Sequence, residues 1–130
     1  MSFIDLETDL ANVKEKAVVP EGMYDLVIES AKGKSKDGKD NILVILGVEG
    51  NLDAANILHN ISLPSVGDDA EKITNKLLFI KRFLAQFHIV PPVGTIDPMV
   101  WAATEFPGKT GRCKVVLDEY NGIVSNKLKL

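Results

Sequence analysis

Two apolar segments, Met23-Tyr-Asp-Leu-Val-Ile-Glu-Ser30 and Asn41-Ile-Leu-Val-Ile-Leu-Gly-Val48, enclose the stretch Lys32-Gly-Lys-Ser-Lys-Asp-Gly-Lys39, and how the three are read decides the fold. In the first, Tyr24, Leu26 and Ile28 alternate with Asp25 and Glu29, the period of a half-buried strand. The second is apolar on both faces. Between them stand four lysines and two glycines, with the turn dipeptide Asp37-Gly38. Two strands around a Gly-rich polar tip predict a long β-hairpin.

Downstream, Asn56-Ile-Leu-His-Asn-Ile-Ser-Leu63 reads as a third strand stopped by Pro64. Asp68-x-x-Glu71 then has the capping-box form, and Ile73, Leu77, Ile80, Leu84 and Phe87 recur along one face of a helix. Lys72, Lys76, Lys81 and Arg82 fall on the opposite face and read as solvated. Ile89-Val-Pro-Pro-Val-Gly94 breaks the helix. Asp97-Pro98 next offers an N-cap and an N1 proline for a short helical turn carrying Met99, Val100 and Trp101, with Trp101 expected in the core. Gly108 and Gly111 flank a turn, Arg112 to Tyr120 is a strand, and Asn121-Gly122 turns the chain into a last strand from Ile123 to Leu130.

Upstream, residues 1–19 form an N-terminal arm of weak helical pattern, expected to dock through Phe3, Ile4 and Leu6 and ended by Pro20-Glu-Gly22. Residues 20–130 form the domain. The order β-β-β-α-β-β, mainly β with one principal helix, is that of the OB-fold, a five-stranded Greek-key barrel whose ligand face is framed by the loops joining strands one to two and four to five. On that frame the lysine-rich tip and the Tyr120-Asn121-Gly122 turn stand on either side of one groove.

A chain of 130 residues buries a sufficient core without staples. Its single cysteine, Cys113, forms no internal disulfide and fits a reducing compartment. The first residues lack the basic and apolar regions of a secretory signal, and no segment reaches the apolar length of a bilayer span, so the expected location is the cytoplasm, with no membrane partner. The net charge of −3 is unevenly spread. Residues 1–29 carry seven acids against two lysines, whereas Lys109, Arg112, Lys114, Lys127 and Lys129 cluster near the end against Asp118 and Glu119.

A single strand of nucleic acid asks for cations along its phosphates and aromatic faces for its bases. Lys32, Lys34, Lys36 and Lys39 supply the first, joined by Arg112, Lys114, Lys127 and Lys129; Tyr120, at the edge of the second loop, is the candidate for stacking. Taken singly, each lysine reads as a solubilising charge. Tyr24 shares the apolar side of its strand and reads as a barrel residue, and Phe106 as a cover for the barrel end. Enzymatic readings find little support. His59 and His88 stand without a nearby cysteine or paired carboxylate, so neither a zinc site nor a His-based dyad is indicated. Gly33-Lys-Ser35 resembles the end of a phosphate-binding loop, but Ile28 occupies the position of its first glycine and a strand follows in place of a helix. Asp68 and Asp69 read as helix-start acids. A non-catalytic protein with no cofactor and no metal is expected.

Pro20-Glu-Gly-Met-Tyr24 before a strand, Ser35-Lys-Asp-Gly38 before an apolar strand, Gly108-Lys-Thr-Gly111 and Glu119-Tyr-Asn-Gly122 together resemble phage and prophage OB-fold proteins, long filed as a domain of unknown function and regarded as single-stranded DNA-binding proteins. The similarity spans nearly the whole chain and rests mostly on turn residues. It implies DNA contact by the hairpin at 32–39 and the loop around Tyr120, work in phage DNA replication or recombination inside a bacterial host cell, and phage replication or recombination proteins as partners. Proteins of this type commonly end in an acidic tail, whereas this sequence ends on Asn126-Lys-Leu-Lys-Leu130. Open strand edges would also allow a homodimer. The alternative from another class is a protein-interaction or structural module of a phage particle that uses the same barrel without binding nucleic acid.

Overall fold

The structure is a computed structural model, and it describes residues 5–12 and 15–130. Its frame is a five-stranded antiparallel sheet: β1 (Gly22–Lys36), β2 (Lys39–Val48), β3 (Ile57–Ser62), β4 (Thr110–Tyr120) and β5 (Ile123–Lys129), in the order β3-β2-β1-β4-β5. Three helices accompany it among the described residues, α1 (Leu6–Asn12), α2 (Ala70–Gln86) and α3 (Pro98–Glu105). The chain is thus mainly β with one principal helix. The edge strands β3 and β5 approach each other across a cleft of about 290 Å³ lined by Leu58, Asn60, Lys127 and Leu128. No ladder joins them among the described residues, so the sheet curls toward closure and remains open.

The lysine-rich stretch is not the loop its composition suggested. Both strands run through it, pairing Lys32 with Leu43, Lys34 with Asn41 and Lys36 with Lys39, and leave only Asp37-Gly38 as the turn. Both turn residues have positive φ (53° and 73°), as do Asn121 and Gly122 (52° and 79°), the two-residue geometry that matches the twist of antiparallel strands. A bulge between Ile28 and Ser30 shifts the register of β1. Before it, Leu26 and Ile28 point into the core; after it, Ala31 does, and Lys32, Lys34 and Lys36 all face outward.

The core gathers Leu26, Ile28, Val44, Leu46, Ile57 and Val115 from the sheet, closed over by Phe83 of α2, by Phe87 at its C-terminal cap and by Phe106. Phe83 touches both other rings, at centroid separations of 4.8 and 5.5 Å. Two glycines admit the helices. A Cβ on Gly111 would lie 2.4 Å from the Gln86 carbonyl oxygen, so β4 receives the end of α2 only because that position is bare. A Cβ on Gly33 would meet the Met99 side chain of α3. Trp101 is partly buried against the core, edge-on to Phe106. Phe106 is buried.

The N-cap of α2 is Asp69, whose carboxylate accepts from the Lys72 N–H; it is not Asp68, as the capping-box spacing suggested. Asp68 instead accepts from the Ser65 N–H and from Lys76 Nζ at 2.8 Å, tying the preceding loop to the helix. The helix ends with His88 at φ 56°: its N–H bonds the Ala85 carbonyl, and Ile89 N–H bonds that of Leu84, a left-handed C-terminal cap with Ile89 buried beside it. That local duty accounts for His88. Asp97 caps α3 by accepting from the Met99 and Val100 N–H groups, with Pro98 in the first turn.

The arm is strapped to the domain by backbone. Ala17 bridges Ala54, and the buried Asn126 side chain mimics a strand, accepting from Val19 N–H at 2.8 Å and donating to its carbonyl at 2.9 Å. Leu6, expected to dock, is exposed; Phe3 and Ile4 lie outside the described residues. Tyr24 is half-buried and donates its hydroxyl to the Pro20 carbonyl, an apolar body with a satisfied polar tip.

Candidate nucleic-acid interface

The outer face of the sheet is built by strand alternation. Across β1, β2 and β3, register aligns Lys34 with Asn41 and Ser62, and Lys32 with Leu43 and Asn60. Asn60 Nδ2 donates to Asn41 Oδ1 at 3.3 Å. Beyond β3, the edge cleft brings Lys127 of β5 beside Leu58 and Asn60. The result is a neutral strip of amide, hydroxyl and aliphatic side chains, bounded on one side by the lysines of β1 and on the other by β5. From β1 to β3 it measures about 10 Å, two strand spacings.

On β4 and β5 the same alternation puts Arg112, Lys114 and Tyr120 on one face with Lys127 and Lys129. Lys114 stands directly opposite Lys129, and Lys36 opposite Lys39. Like charges facing each other across a ladder oppose folding. None of Lys32, Lys34, Lys36, Lys39, Lys114 or Lys129 is ion-paired among the described residues. An anion laid between such pairs removes their repulsion, which is what a phosphate backbone would do.

The remaining candidates differ. Arg112 Nη1 lies 3.5 Å from Asp25, and Lys127 Nζ lies 2.8 Å from Asp118, so each must share or exchange its partner to meet a phosphate. Both pairs are exposed and worth little in water. Tyr120 is 76% exposed and sits with Ile123 at the tip of the β4–β5 hairpin, past the Gly22–Val115 pair where the β1–β4 ladder ends. The two turns therefore leave β1 at opposite ends, and Tyr120 is remote along the ladder from the β1 lysines. The strip itself carries no aromatic ring among its aligned positions.

His59 points inward and stacks on Phe83 with ring centroids 5.2 Å apart, and burial holds its pKa below the usual 6.5. Asp68 is lowered to about 2, chiefly by its hydrogen bonds from Lys76 and the Ser65 N–H, with the charges of Lys76 and Lys72 adding to them. Both shifts destabilise the fold in acid. Below the ordinary histidine range the unfolded chain takes up a proton that folded His59 resists, and below the ordinary carboxylate range it takes up one that Asp68 resists. The melting temperature should fall as pH drops below about 6.5 and again below about 4. Thermal melts followed by circular dichroism across pH would check this, and His59→Gln should flatten the upper limb.

Cys113 is buried and its thiol is pushed up by burial, so its role is packing. No cluster of metal-ligating side chains occurs among the described residues, and no helix there is long and apolar enough to cross a membrane.

Sequence periodicity placed Lys72, Lys76, Lys81 and Arg82 on a solvated face; three of them are exposed, and Lys76 alone is mostly covered. Lys72 and Lys76 both line a cleft of about 440 Å³ between α2 and β3, together with Asn75 and Phe79. Lys76 is also hydrogen-bonded to the Leu63 carbonyl. The signal was present in the spacing 72, 76, 79, 83, a second helical stripe that mixes lysine with phenylalanine and so escapes a purely apolar reading. Neither the family models nor the curated protein sequences searched contain a match to this chain.

Proposed function

We propose that this is a non-catalytic protein that binds single-stranded DNA with little sequence preference, through an OB-type Greek-key barrel. The strand order supports that topology: β3 and β5 are the edges that would meet on closure, and α2 lies between β3 and β4 in sequence. The observation that carries the reading is a neutral strip bounded on one side by the lysines of β1, unpaired among the described residues, and on the other by β5, where Lys129 is likewise unpaired and Lys127 is held by Asp118. Phosphates lie on these borders and bases on the strip between Asn41, Leu43, Leu58 and Asn60. The resemblance to phage and prophage single-stranded DNA-binding proteins adds the setting, phage DNA replication or recombination in a bacterial cytoplasm, with the enzymes of those processes as partners.

Affinity should depend steeply on salt, because each phosphate held releases counterions. Titration of a labelled single-stranded oligonucleotide by fluorescence anisotropy, in parallel with duplex of the same sequence, tests it. Tight binding of the single strand with a salt slope of several contacts is expected. A signal absent for single strands, or flat with salt, removes the proposal.

A second reading, an interaction module of a phage particle, draws on the exposed apolar tip of the β4–β5 hairpin, where Leu117, Tyr120, Ile123 and Val124 are all exposed, and on the two open sheet edges, which also suit a homodimer. Purification with a bound protein and without nucleic acid would favour it.

A further inference from the structure

The cleft between α2 and β3 lies beside the strip described above and shares Asn60 and Ser62 with it. Two contacts join α2 to β3 beside the cleft, Phe83 stacked on His59 and Lys76 Nζ donating to the Leu63 carbonyl just past the strand. Lys72 and Lys76 are its charged members; both reach the Asp68 carboxylate, at 3.6 and 2.8 Å, from outside the cleft lining, and the Lys72 pair is the longer and more exposed. Asn60, Ser62 and Asn75 supply hydroxyl and amide groups. Phe79, 58% exposed, offers a ring face with the Arg82 guanidinium 5.8 Å from its centroid.

Backbone adds to these. Leu63 N–H donates to the Asp40 carbonyl, which continues the β2–β3 register by one pair. Antiparallel alternation then turns the N–H and C=O of Ser62 and Asn60 away from β2, toward the free edge. The part of that edge lining the cleft runs only from His59 to Ser62, shorter than a usual strand, so an added peptide strand would gain few ladder bonds there. A compact planar group suits it better.

We propose that this cleft takes one unstacked nucleotide of the bound single strand, its base on Phe79 and its edge on Asn75 and Asn60, with a phosphate at Lys72, whose exposed pair with Asp68 it exchanges. The inference rests on the DNA-binding function proposed above and supplies the aromatic face that the strip lacks. It also makes the protein selective at one position, since the amide groups and the β3 edge meet different bases differently.

Anisotropy titrations with dT, dC and dA homopolymers, on the parent and on Phe79→Ala, test it. Phe79 is largely exposed, so its truncation spares the core. Affinities of the parent should differ among the homopolymers. Phe79→Ala should lose roughly five- to tenfold on the preferred one and level the others, with the salt slope unchanged. Phe79→Trp should restore binding, and its added fluorescence should be quenched by the oligonucleotide. If the parent binds DNA and Phe79→Ala binds all three as the parent does, the pocket is wrong and the DNA-binding function stands. If the parent binds no oligonucleotide, that function fails and takes the pocket with it. Loss of a protein ligand by Phe79→Ala, with DNA binding intact, assigns the cleft to a peptide and overturns the proposal.

Discussion

Replacing Lys34 and Lys36 together by alanine is expected to weaken single-stranded DNA binding roughly 25-fold at about 0.1 M salt, with the loss vanishing near 1 M. The size follows from counterion release: each phosphate contact on a single strand contributes about 0.7 to the slope of log affinity against log salt, so two lost contacts lower it by about 1.4. Both side chains face outward and make no ion pair among the described residues, so the fold should not suffer. Removing Lys36 even relieves its repulsion with Lys39 across the ladder. An unchanged or slightly raised melting temperature beside weakened binding is the expected pair of results. Parent-like affinity in the double variant, or a loss equal at all salt concentrations, would take the phosphate contact away from this hairpin.

The largest stability effect should come from Gly111→Ala. The added methyl would sit 2.4 Å from the Gln86 carbonyl oxygen and 3.0 Å from Phe87 Cδ1, against the backbone and buried ring that close the core. Neither can swing aside. Gln86 is further held by its side-chain Nε2, which donates to the Arg112 carbonyl. Relief requires moving the end of α2 away from β4, and overpacking of this kind costs about 2–3 kcal/mol, or about 10 °C in melting temperature for a domain of this size. Gly33→Ala is the useful comparison. Its methyl would meet Met99 Sδ, Cγ and Cβ at 2.5, 2.6 and 2.7 Å; a new rotamer frees Sδ and Cγ but not Cβ, so α3 must also give slightly and the cost should be about 1–2 kcal/mol, below that of Gly111→Ala. Differential scanning calorimetry of the two variants would check the order; equal melting temperatures would mean that α2 is not seated on β4 through Gly111.

Much of this was legible before any coordinates. Asp37-Gly38 and Asn121-Gly122 both turn hairpins because their flanking segments alternate and those dipeptides accept positive φ at both central positions. Asp97-Pro98 begins a helix because the acid caps the free N–H groups and the proline has none to lose there. Local chemistry settles such features. It misread the lysine stretch, because glycine and lysine are poor strand formers taken alone, whereas pairing with Lys39, Asn41 and Leu43 draws β1 out to Lys36. It also misread Lys76, since a helix sorted by hydrophobicity alone has one inward face, whereas the Lys76 ammonium is drawn in by Asp68 and the Leu63 carbonyl.

By itself, then, the sequence determined the strands, the turns and the helix starts, and it concentrated positive charge in two separate segments, for these depend on neighbours within a few residues. Only the tertiary structure decided which lysines share a face, that Lys127 stands beside Asn60, and that an exposed phenylalanine opens onto the β3 edge. Strand register and the seating of α2 on Gly111 are set by contacts between residues far apart in the chain, and no local pattern encodes which distant partner will be met.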